Sequence, residues 1–357
     1  MDTATQNQID YLLKTSGLFP EIEKPSRTIL EFDFKNETIL ITGAAGSIGS
    51  ELAKQISKYS FKNLILIDIA ESPLHDLINE PEFENRTNVN FLILNITQKE
   101  SLEHLFLTLK PTVIFHAAAY KHVPLMELNP FESIKVNILA TQILADLSVI
   151  NGVKKFIYIS TDKAVNPISI MGISKRIAED YLLSLSTSKS TIFIATRFGN
   201  IFGSNGSVVP LFKKRIEIGE PVIITHKAIS RYFINKEKAC ELILKISQNK
   251  YQKNTLLTFN MGNSIKIIDL VERLTLFCNK KQVDLKFTTL RPGEKLHEDL
   301  VSENEILIPS EDKDILIVQK KTQSIFPINY LKRISEIKAF TPPNKEVKAL
   351  LVSYFKN

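Results

Sequence analysis

The chain has 357 residues, of which 44% are hydrophobic and 24% are charged, and a net charge of +6. It is long enough to bury a large core, and its basic residues are spread among acidic ones, which argues against a nucleic-acid-binding protein. Two cysteines are too few for a disulfide framework or a metal cluster, so we expect no metal site.

Residues 1–36 carry no motif and resemble a leader packed onto the next domain. The first residues lack a basic stretch followed by an apolar one, and we identify no apolar run of the roughly 18 residues that a membrane span needs. We therefore expect a cytoplasmic protein without an integral membrane segment.

Between residues 37 and 197, short β-branched runs alternate with segments of helical spacing. Continuous apolar runs are typical of strands buried on both faces, so the pattern predicts an α/β fold with a doubly wound parallel sheet, the Rossmann fold. The predicted strands are 38–41, 64–67, 90–94, 112–115, 157–160 and 191–196.

Beyond residue 197 the alternation becomes less regular. Glycines and prolines punctuate residues 198–302, which we expect to form a smaller, substrate-binding region. Residues 303–357 contain two further amphipathic stretches, 329–338 and 346–355, and are predicted to form a helical tail.

A glycine-rich turn follows the first predicted strand and opens a helix. Its spacing, G-x-x-G-x-x-G, supplies the tight turn, the close approach of backbone to a pyrophosphate and the packing of helix against strand that a dinucleotide site requires. A tight turn without a ligand is the alternative. The predicted cofactor-binding residues of this turn are Gly43, Ala45, Gly46, Ser47, Ile48 and Gly49.

Asp68 ends the second predicted strand, where a carboxylate can accept hydrogen bonds from the adenosine ribose hydroxyls. A 2′-phosphate at this position would meet a like charge, which favours NAD over NADP. The alternative role for Asp68 is to cap the helix that starts near Glu71. Small residues after the fourth predicted strand fit a backbone close to the cofactor; they are Ala117, Ala118 and Ala119.

Asp162 and Lys163 follow the fifth predicted strand as adjacent residues. Lys175 lies further along, and Met171 occupies the position where a Tyr-x-x-x-Lys pair would have its tyrosine. An adjacent carboxyl and amine can exchange one proton internally, so we expect them to titrate as a unit. An exposed ion pair at a strand end is the alternative.

Together these motifs resemble the extended short-chain dehydrogenase/reductases, and the Asp162-Lys163 pair narrows the resemblance to the UDP-N-acetylhexosamine 4,6-dehydratases of bacterial polysaccharide synthesis. Some members of that family also carry Met at the position of Met171. The resemblance covers residues 38–300. It implies bound NAD, a UDP-N-acetylhexosamine substrate and a homo-oligomer formed through the helices after Pro130 and Met171.

The resemblance also implies roles for individual residues. Lys163 would be the base that removes the carbon 5 proton, and Asp162 the acid that protonates the carbon 6 hydroxyl. Lys175 would hold the nicotinamide ribose, and Ser160 or Thr161 would hydrogen-bond the carbon 4 oxygen. Because the thioether of Met171 has no titratable proton, we hypothesise that Asp162 also accepts the proton of the carbon 4 hydroxyl.

Further residues match family motifs for the cofactor and the substrate. Asn95, followed by Ile96, stands where the family has an acceptor for the adenine amine. Arg291 is the expected diphosphate ligand because an arginine fork pairs with phosphate oxygens. The implied substrate-binding residues are Lys121, His122, Asn200, Ser207, Val208, Arg231, Arg291 and Glu294. Lys227 stands where the family usually has Pro, a departure that bears on the loop around Arg231.

Two other functions share these features. A nucleotide-sugar 4-epimerase uses the same cofactor and fold but needs no second acid–base pair, so the Asp162-Lys163 pair argues against it. A non-catalytic dinucleotide sensor would explain Met171 as the loss of a catalytic phenol.

Overall fold

The structure, a computed structural model, describes residues 1–22, 30–185, 191–322, 326–337 and 344–356. The strands are β1 (Phe34–Thr42), β2 (Phe61–Asp68), β3 (Val89–Ile93), β4 (Val113–His116), β5 (Lys155–Ile159), β6 (Ile192–Arg197), β7 (Asn200–Phe202), β8 (Val222–Ile224), β9 (Ser230–Arg231), β10 (Phe233–Asn235), β11 (Thr255–Phe259), β12 (Ile265–Lys266), β13 (Leu285–Phe287), β14 (Glu305–Pro309) and β15 (Ile315–Lys320). The helices are α1 (Thr3–Thr15), α2 (Ser47–Ile56), α3 (Glu71–Ile78), α4 (Lys99–Leu109), α5 (Val123–Leu128), α6 (Pro130–Ser133), α7 (Ala140–Ile150), α8 (Ile170–Ser184), α9 (Val208–Ile218), α10 (Lys236–Gln248), α11 (Ile267–Phe277), α12 (Ile328–Ser335) and α13 (Asn344–Ser353).

The central sheet has the strand order β14-β15-β11-β6-β5-β4-β1-β2-β3. The seven strands from β11 to β3 in this order run parallel. At one edge, β15 is antiparallel to both of its neighbours, β11 and β14. All six strands predicted from the sequence are present in this sheet. The prediction of a doubly wound parallel sheet is confirmed.

Both faces of the parallel sheet are buried, which explains the continuous apolar runs of its strands. One core contains Phe106 of α4, Leu144 of α7 and Tyr181 of α8. The core on the other face contains Leu52 of α2 and Leu242 of α10. Because helices cover both faces of the sheet, its strands lack the alternation of polar and apolar residues that a half-exposed sheet shows.

The chain reverses its direction of winding between β1 and β4, which are neighbours in the sheet. From β1 the chain continues outward through β2 and β3, and from β4 it continues in the other direction through β5 and β6. In open α/β sheets a ligand crevice forms at the carboxyl ends of the strands at such a point. The glycine-rich turn after β1 and the alanines after β4 both lie there.

A third core lies outside the parallel sheet and includes the N-terminal helix. Ile9 and Leu13 of α1 pack with Phe212 of α9 and Leu270 of α11. The carboxylate of Asp10 also accepts a hydrogen bond of 2.7 Å from Arg273. Residues 1–22 of the leader therefore pack on the region 198–302. Residues 30–36 lie against the parallel sheet instead, since Phe34 begins β1 and is buried in the core of that sheet. Residues 23–29 lie outside the described residues.

The tail predicted to be helical contains two strands as well as two helices. β14 and β15 extend the central sheet, and α12 and α13 match the two predicted amphipathic stretches. The predicted end at residue 338 lies outside the described residues. Both strands contain short apolar runs, 306–308 and 315–318, that were not assigned from the sequence. Glu305, the first residue of β14, is buried, and its carboxylate accepts a hydrogen bond from the guanidinium of Arg197.

One helical stretch of the described chain, Pro130–Ile150, is long and apolar enough to cross a membrane by length and composition alone. It consists of α6, a π-helical turn (Ile134–Leu139) and α7. More than half of its most apolar window is buried inside the protein, as in the core helix of a folded domain. Charged residues interrupt this stretch in the sequence, at Glu132, Lys135 and Asp146. The cytoplasmic location stays a prediction.

Candidate active site

A cavity of about 560 Å³ lies at the carboxyl ends of β1, β4 and β5. It is closed on the far side by the segment that follows β6. Most of the residues predicted from the sequence line it: Gly43, Gly46, Ser47, Ile48, Gly49, Ala117, Ala119, Lys121, His122, Thr161, Lys163, Met171, Lys175, Asn200, Ser207 and Val208. The fold thus brings the predicted cofactor, catalytic and substrate residues to one place.

The glycine-rich turn is closely packed against the loop after β4. Gly43 has a φ of +68°, and a Cβ atom there would lie 2.6 Å from the amide nitrogen of Ala118. A Cβ atom on Gly49 would lie 2.1 Å from the carbonyl oxygen of Gly43. α2 begins at Ser47, and no side chain caps it. The first-turn amides of α2 therefore face the cavity side of the turn, as an anionic group requires.

Asp68 connects the end of β2 to the glycine-rich turn. Its two carboxylate oxygens accept hydrogen bonds of 2.9 Å from the amides of Ala45 and Ala70. Ala70 is the N-cap of α3 and no side chain caps that helix, so Asp68 does not act as its cap. A carboxylate has about four acceptor positions, which leaves two for the ribose hydroxyls.

Asn95 is oriented differently from the expectation. Its amide oxygen accepts hydrogen bonds from the backbone amide of Thr97 at 3.0 Å and from the Thr97 hydroxyl at 2.9 Å. Both lone pairs of the oxygen are used in this turn, so the expected hydrogen bond to the adenine amine has no free acceptor in this conformation. The neighbouring Ile96 is buried in the core.

Lys163 and Asp162 form a buried ion pair at the end of β5. The Nζ atom of Lys163 lies 3.0 Å from Oδ1 of Asp162 and donates to Oδ1 of Asn200 at 3.0 Å. The side chain of Lys163 is 20% exposed and lines the cavity, whereas that of Asp162 is 1% exposed and lies behind it. The alternative of a solvated surface ion pair is therefore wrong.

The charge state of Lys163 depends on two carboxylates. Burial lowers the pKa of Lys163, but Asp162 and then Glu298, whose Oε1 lies 3.5 Å from Nζ, raise it, and the net pKa is above its ordinary value. The resting site therefore favours an ammonium at Lys163, and the amine must be deprotonated before it can act as a base.

Lys175 projects from α8 beneath the cavity. Its Nζ atom donates to the carbonyl oxygen of Ile159 at 2.6 Å and lies 4.0 Å from the centre of the Tyr158 ring. Burial lowers the pKa of Lys175 to about 7, and the nearby Glu179 raises it only in part. Met171, one turn earlier on α8, is buried and lines the cavity with its thioether.

The hydroxyls at the end of β5 are committed to carboxylates. Ser160 donates to Glu179, and Thr161 donates to Oδ1 of Asp162 at 2.9 Å. The expected hydrogen bond from Thr161 to the carbon 4 oxygen therefore requires its hydroxyl to rotate away from Asp162. In the conformation described, Thr161 orients the carboxylate instead.

Lys121 and His122 connect the loop after β4 to the segment that follows β7. Lys121 donates to the carbonyl oxygen of Asn205 at 2.9 Å. A Cβ atom on Gly206 would lie 3.0 Å from the ring of His122, so glycine is needed for this contact. Burial lowers the pKa of both Lys121 and His122. A neutral His122 can therefore line the cavity as a hydrogen-bonding group.

Arg231 does not line the cavity. Its guanidinium donates to the backbone carbonyls of Ser230, Lys295 and Leu296 at 2.7 to 3.1 Å, and it is 6% exposed. The prediction that Arg231 binds substrate is not supported by this geometry. Its donors fasten β9 to the segment 291–299, which carries Glu298.

Arg291 lies outside the main cavity, in a neighbouring depression of about 250 Å³. α9 separates the two: its first residue, Val208, lines the main cavity, and Leu211 lines the depression. The carboxylate of Glu294 accepts a hydrogen bond of 3.0 Å from the backbone amide of Arg291, which closes the turn formed by residues 291–294. The guanidinium of Arg291 is more than half exposed and can reach an anion bound along α9.

Two functional groups were missed by the sequence analysis. Glu298 lies three residues beyond the Arg291–Lys295 motif, and Glu179 lies one turn beyond Lys175 on α8. Both carboxyl groups are buried against the end of β5. Their spacing from the motifs was a signal, but the sequence does not distinguish a buried acid from a solvated one.

These features define a class: a Rossmann-fold protein of the short-chain dehydrogenase/reductase type. The family model described as polysaccharide biosynthesis protein matches residues 39–320. The chain belongs to this family, within the extended short-chain dehydrogenase/reductases, whose members include nucleotide-sugar dehydratases and epimerases.

Individual relatives agree with this assignment. The capsular polysaccharide biosynthesis protein CapD of Staphylococcus aureus is 42% identical over 283 residues, which are 78% of this chain and 47% of CapD. This chain therefore spans about half the length of relatives of that kind. The UDP-N-acetylglucosamine 4,6-dehydratase (inverting) of Campylobacter jejuni is 34% identical over 281 residues, 76% of this chain and 79% of the enzyme.

Solved structures share the fold. The X-ray structure of Pen from Bacillus thuringiensis superposes with a TM-score of 0.74 and 26% identity, covering 90% of this chain and 99% of Pen. Other structures of the same fold, at 17–18% identity, are complexes with NAD. These more distant structures support the fold assignment alone.

Proposed function

We propose that this protein is an NAD-dependent 4,6-dehydratase that converts a UDP-N-acetylhexosamine to its 4-keto-6-deoxy derivative. The observation that carries the proposal is the buried Asp162-Lys163 pair, with the amine of Lys163 facing the cavity that the glycine-rich turn lines. An epimerase needs hydride transfer at carbon 4 only, whereas elimination of water requires a further acid and base.

The residues of the crevice fit a dinucleotide. Gly43 and Gly49 leave no room for side chains where the pyrophosphate backbone contacts are needed, and the uncapped start of α2 supplies amide donors. Asp68 retains free acceptor positions for the ribose, and its charge opposes a 2′-phosphate, which supports NAD. When bound, NAD accepts hydride from sugar carbon 4 and later gives it to carbon 6.

The chain's own residues supply the proton transfers. Asp162 lies behind the cavity wall, so it exchanges protons with the sugar through the hydroxyl of Thr161, which lines the cavity and donates to Oδ1. By this route Asp162 accepts the carbon 4 hydroxyl proton and later protonates the carbon 6 oxygen, which leaves as water. Lys163, as a neutral amine, removes the proton from carbon 5, which the neighbouring ketone makes acidic. Thr161 holds the Asp162 carboxylate in place by donating to Oδ1. Met171 contributes an apolar wall and no proton.

The substrate would lie between the main cavity and the depression around Arg291. Lys121, His122 and Asn200 are positioned for the sugar end, and the first turn of α9, from Val208, runs towards Arg291 at the nucleotide end. The guanidinium of Arg291 is more than half exposed, and the carboxylate of Glu294 lies 3.7 Å from it, so it can pair with diphosphate oxygens.

The homo-oligomer stays a prediction. The resemblance assigns its interface to α7 and α8, but the C-terminal helix α13 packs on α8, with Val347 and Leu351 in the same core. Any oligomer formed through α8 must therefore include α13 in its interface.

The experiment is incubation of the purified protein with UDP-N-acetylglucosamine in deuterated water, followed by NMR of the product. Loss of water with solvent deuterium at carbon 5 is the expected result. Inversion at carbon 4 without loss of water would mean an epimerase, and an unchanged sugar would favour the sensor; either would contradict the proposal. UDP-N-acetylgalactosamine is tested in parallel, because the geometry does not select between the two epimers.

A further inference from the structure

Lys163 lies between two buried carboxylates, of which the sequence analysis identified one. Its Nζ atom is 3.0 Å from Oδ1 of Asp162 and 3.5 Å from Oε1 of Glu298, whose side chain is 3% exposed. Oδ2 of Asp162 and Oε2 of Glu298 are buried without a hydrogen-bond partner among the described residues. A buried carboxylate oxygen without a donor is unfavourable unless the group takes up a proton.

Glu298 is held at this position by its own segment. Arg231 donates to the carbonyls of Lys295 and Leu296 and lies 3.9 Å from Oε1 of Glu298. Ser230, next to Arg231 on β9, also hydrogen-bonds the ring of His297. These contacts fix the backbone immediately before Glu298, so the carboxyl group is directed at Lys163 and not at solvent.

The proton count of the reaction, which rests on the proposed function, requires a third group. In the resting pair Lys163 is an ammonium and Asp162 is a carboxylate. Once Asp162 has accepted the carbon 4 hydroxyl proton, the pair holds two protons, and Lys163 has no free lone pair for carbon 5. One proton must leave Lys163 while Asp162 stays protonated.

We propose that Glu298 holds this proton. As hydride leaves carbon 4, the hydroxyl proton passes to Asp162, and the ammonium proton of Lys163 passes to Glu298. The neutral Lys163 then removes the carbon 5 proton while Asp162 protonates the carbon 6 oxygen, which leaves as water. Hydride returns to carbon 6, the site returns the proton to carbon 5, and the Glu298 proton goes back to Lys163. Because Glu298 acts through Lys163, it is a positioning residue.

The groups that face Glu298 are consistent with this exchange. Burial, the largest influence, raises its pKa, and Asp162 raises it further; Lys163, Arg231 and Lys295 lower it, and the net pKa is above its ordinary value. A carboxyl group with a raised pKa beside an ammonium can accept its proton at a smaller cost in free energy than a solvated one.

Glu298→Gln tests the proposal because it keeps the size of the side chain and removes its capacity to take a proton. In a single turnover with UDP-N-acetylglucosamine, we expect reduced NAD to form on the enzyme at close to the wild-type rate and then to persist. Product formation should fall by about a hundredfold or more, the usual range for a lost proton-transfer group. Glu298→Asp should recover part of the loss.

Asp299→Asn is the matched control, since it removes the same charge one residue away. Asp299 is half exposed and pairs with Lys295, not with Lys163. We expect this variant to turn over without accumulating reduced NAD. If the wild-type protein forms no product, the proposed function is contradicted. If the wild-type protein turns over and Glu298→Gln forms product at the same rate as Asp299→Asn, only the role of Glu298 is contradicted. Equal loss of hydride transfer and elimination in Glu298→Gln would also contradict it.

A second measurement needs no sugar. Competitive acetylation with acetic anhydride, read by mass spectrometry of the peptide that contains Lys163, gives the pH midpoint at which this amine becomes reactive. We expect Glu298→Gln to lower the midpoint by about one pH unit or more, because a close anion is lost, and Asp299→Asn to leave it unchanged. An unchanged midpoint in Glu298→Gln would show that the two groups do not exchange charge.

Discussion

Lys163 has surroundings that favour its charged form, although elimination needs its neutral form. Asp162 and Glu298 lie within 3.5 Å of its Nζ atom, and both raise its pKa. A base of this kind works only when its proton can move to a neighbour during the reaction. The proximity of two carboxyl groups gives the proton such a destination without any phenol at the position of Met171.

Asp162→Asn should abolish both half-reactions, because the amide can neither accept the carbon 4 hydroxyl proton nor protonate the carbon 6 oxygen. We expect the rate of cofactor reduction to fall about a hundredfold or more. The measurement is stopped-flow absorbance of reduced NAD after mixing with UDP-N-acetylglucosamine. Unchanged NAD affinity by calorimetry serves as the control, and reduced NAD at the wild-type rate would contradict the role of Asp162 in oxidation.

At this scale the sequence predicted residues with a local motif and missed residues that are placed by the fold. The glycines could be identified from their spacing after a strand, and the adjacent Asp162 and Lys163 from their resemblance to a family motif. Glu298 could not, because its contact with Lys163 joins positions 135 apart in the chain. Arg231 was assigned to substrate because it lies in a segment that matches a family block. In the structure its donors are used by backbone carbonyls.

The glycine-rich turn is the element that the sequence predicted most fully, since its geometry follows from glycine itself. In Gly49→Ala, the added Cβ atom would lie 2.1 Å from the carbonyl oxygen of Gly43, so the turn must shift. We expect NAD affinity, measured by calorimetry, to fall about tenfold or more, which is about 1.4 kcal/mol.

Gly219→Ala is the control for this variant. Gly219 ends α9 with a φ of +76° and open space around it, so alanine there is strained by about 1 kcal/mol without a clash. It should lower the melting temperature and leave NAD affinity unchanged. Similar losses of NAD affinity in both variants would contradict a local effect of the turn.

Strand β14 connects the tail to the active site through buried charges. Arg197 of β6 donates to Glu305 of β14 at 2.9 Å and to Glu179 of α8 at 2.7 Å, and Glu179 accepts from Ser160 at the cavity wall. Glu305→Gln leaves Arg197 paired with Glu179, so the variant loses charge-assisted hydrogen bonds, worth about 1.5–3 kcal/mol, and does not leave the guanidinium unpaired. Glu305→Gln should therefore lower the free energy of unfolding by that amount.

The pH dependence of this loss has a definite sign. Burial alone would raise the pKa of Glu305, but Arg197 lowers it to about 2, below its ordinary value of 4.5. A carboxyl group whose pKa is lowered by folding stabilises the fold when the pH is above its ordinary pKa. This stabilisation is lost as the pH falls towards the lowered pKa. Denaturant unfolding should show a constant difference between wild type and Glu305→Gln above pH about 5, and a shrinking one below; a difference that grows in acid would contradict the pairing.

At the scale of the whole molecule, the sequence predicted what periodicity determines. Six parallel strands and the crevice followed from apolar runs and the glycines. The packing of α1 on the region 198–302 could not be predicted, because its contacts join residues far apart in the chain and leave no local pattern. Asp10 and Arg273, for example, are 263 positions apart. The strands of the tail lie beyond the family motifs, and their short apolar runs, 306–308 and 315–318, were not distinguished from helical segments.

The candidate active site is thus assembled from both regions of the molecule. The parallel sheet contributes the glycine-rich turn, Asp162 and Lys163, and the segment beyond β11 contributes Glu298. Substrate would bind between them, along α9, with its nucleotide end towards Arg291. The central claim is that the pair after β5 removes water from a sugar that the cofactor has first oxidised.

A single turnover of Lys163→Met with UDP-N-acetylglucosamine tests this claim most directly, with reduced NAD followed by absorbance and the sugar by NMR. The account predicts that reduced NAD forms and persists while elimination falls about a hundredfold to ten-thousandfold, since only the base for carbon 5 is lost. A 4-keto-6-deoxy product formed by Lys163→Met at the wild-type rate would contradict it.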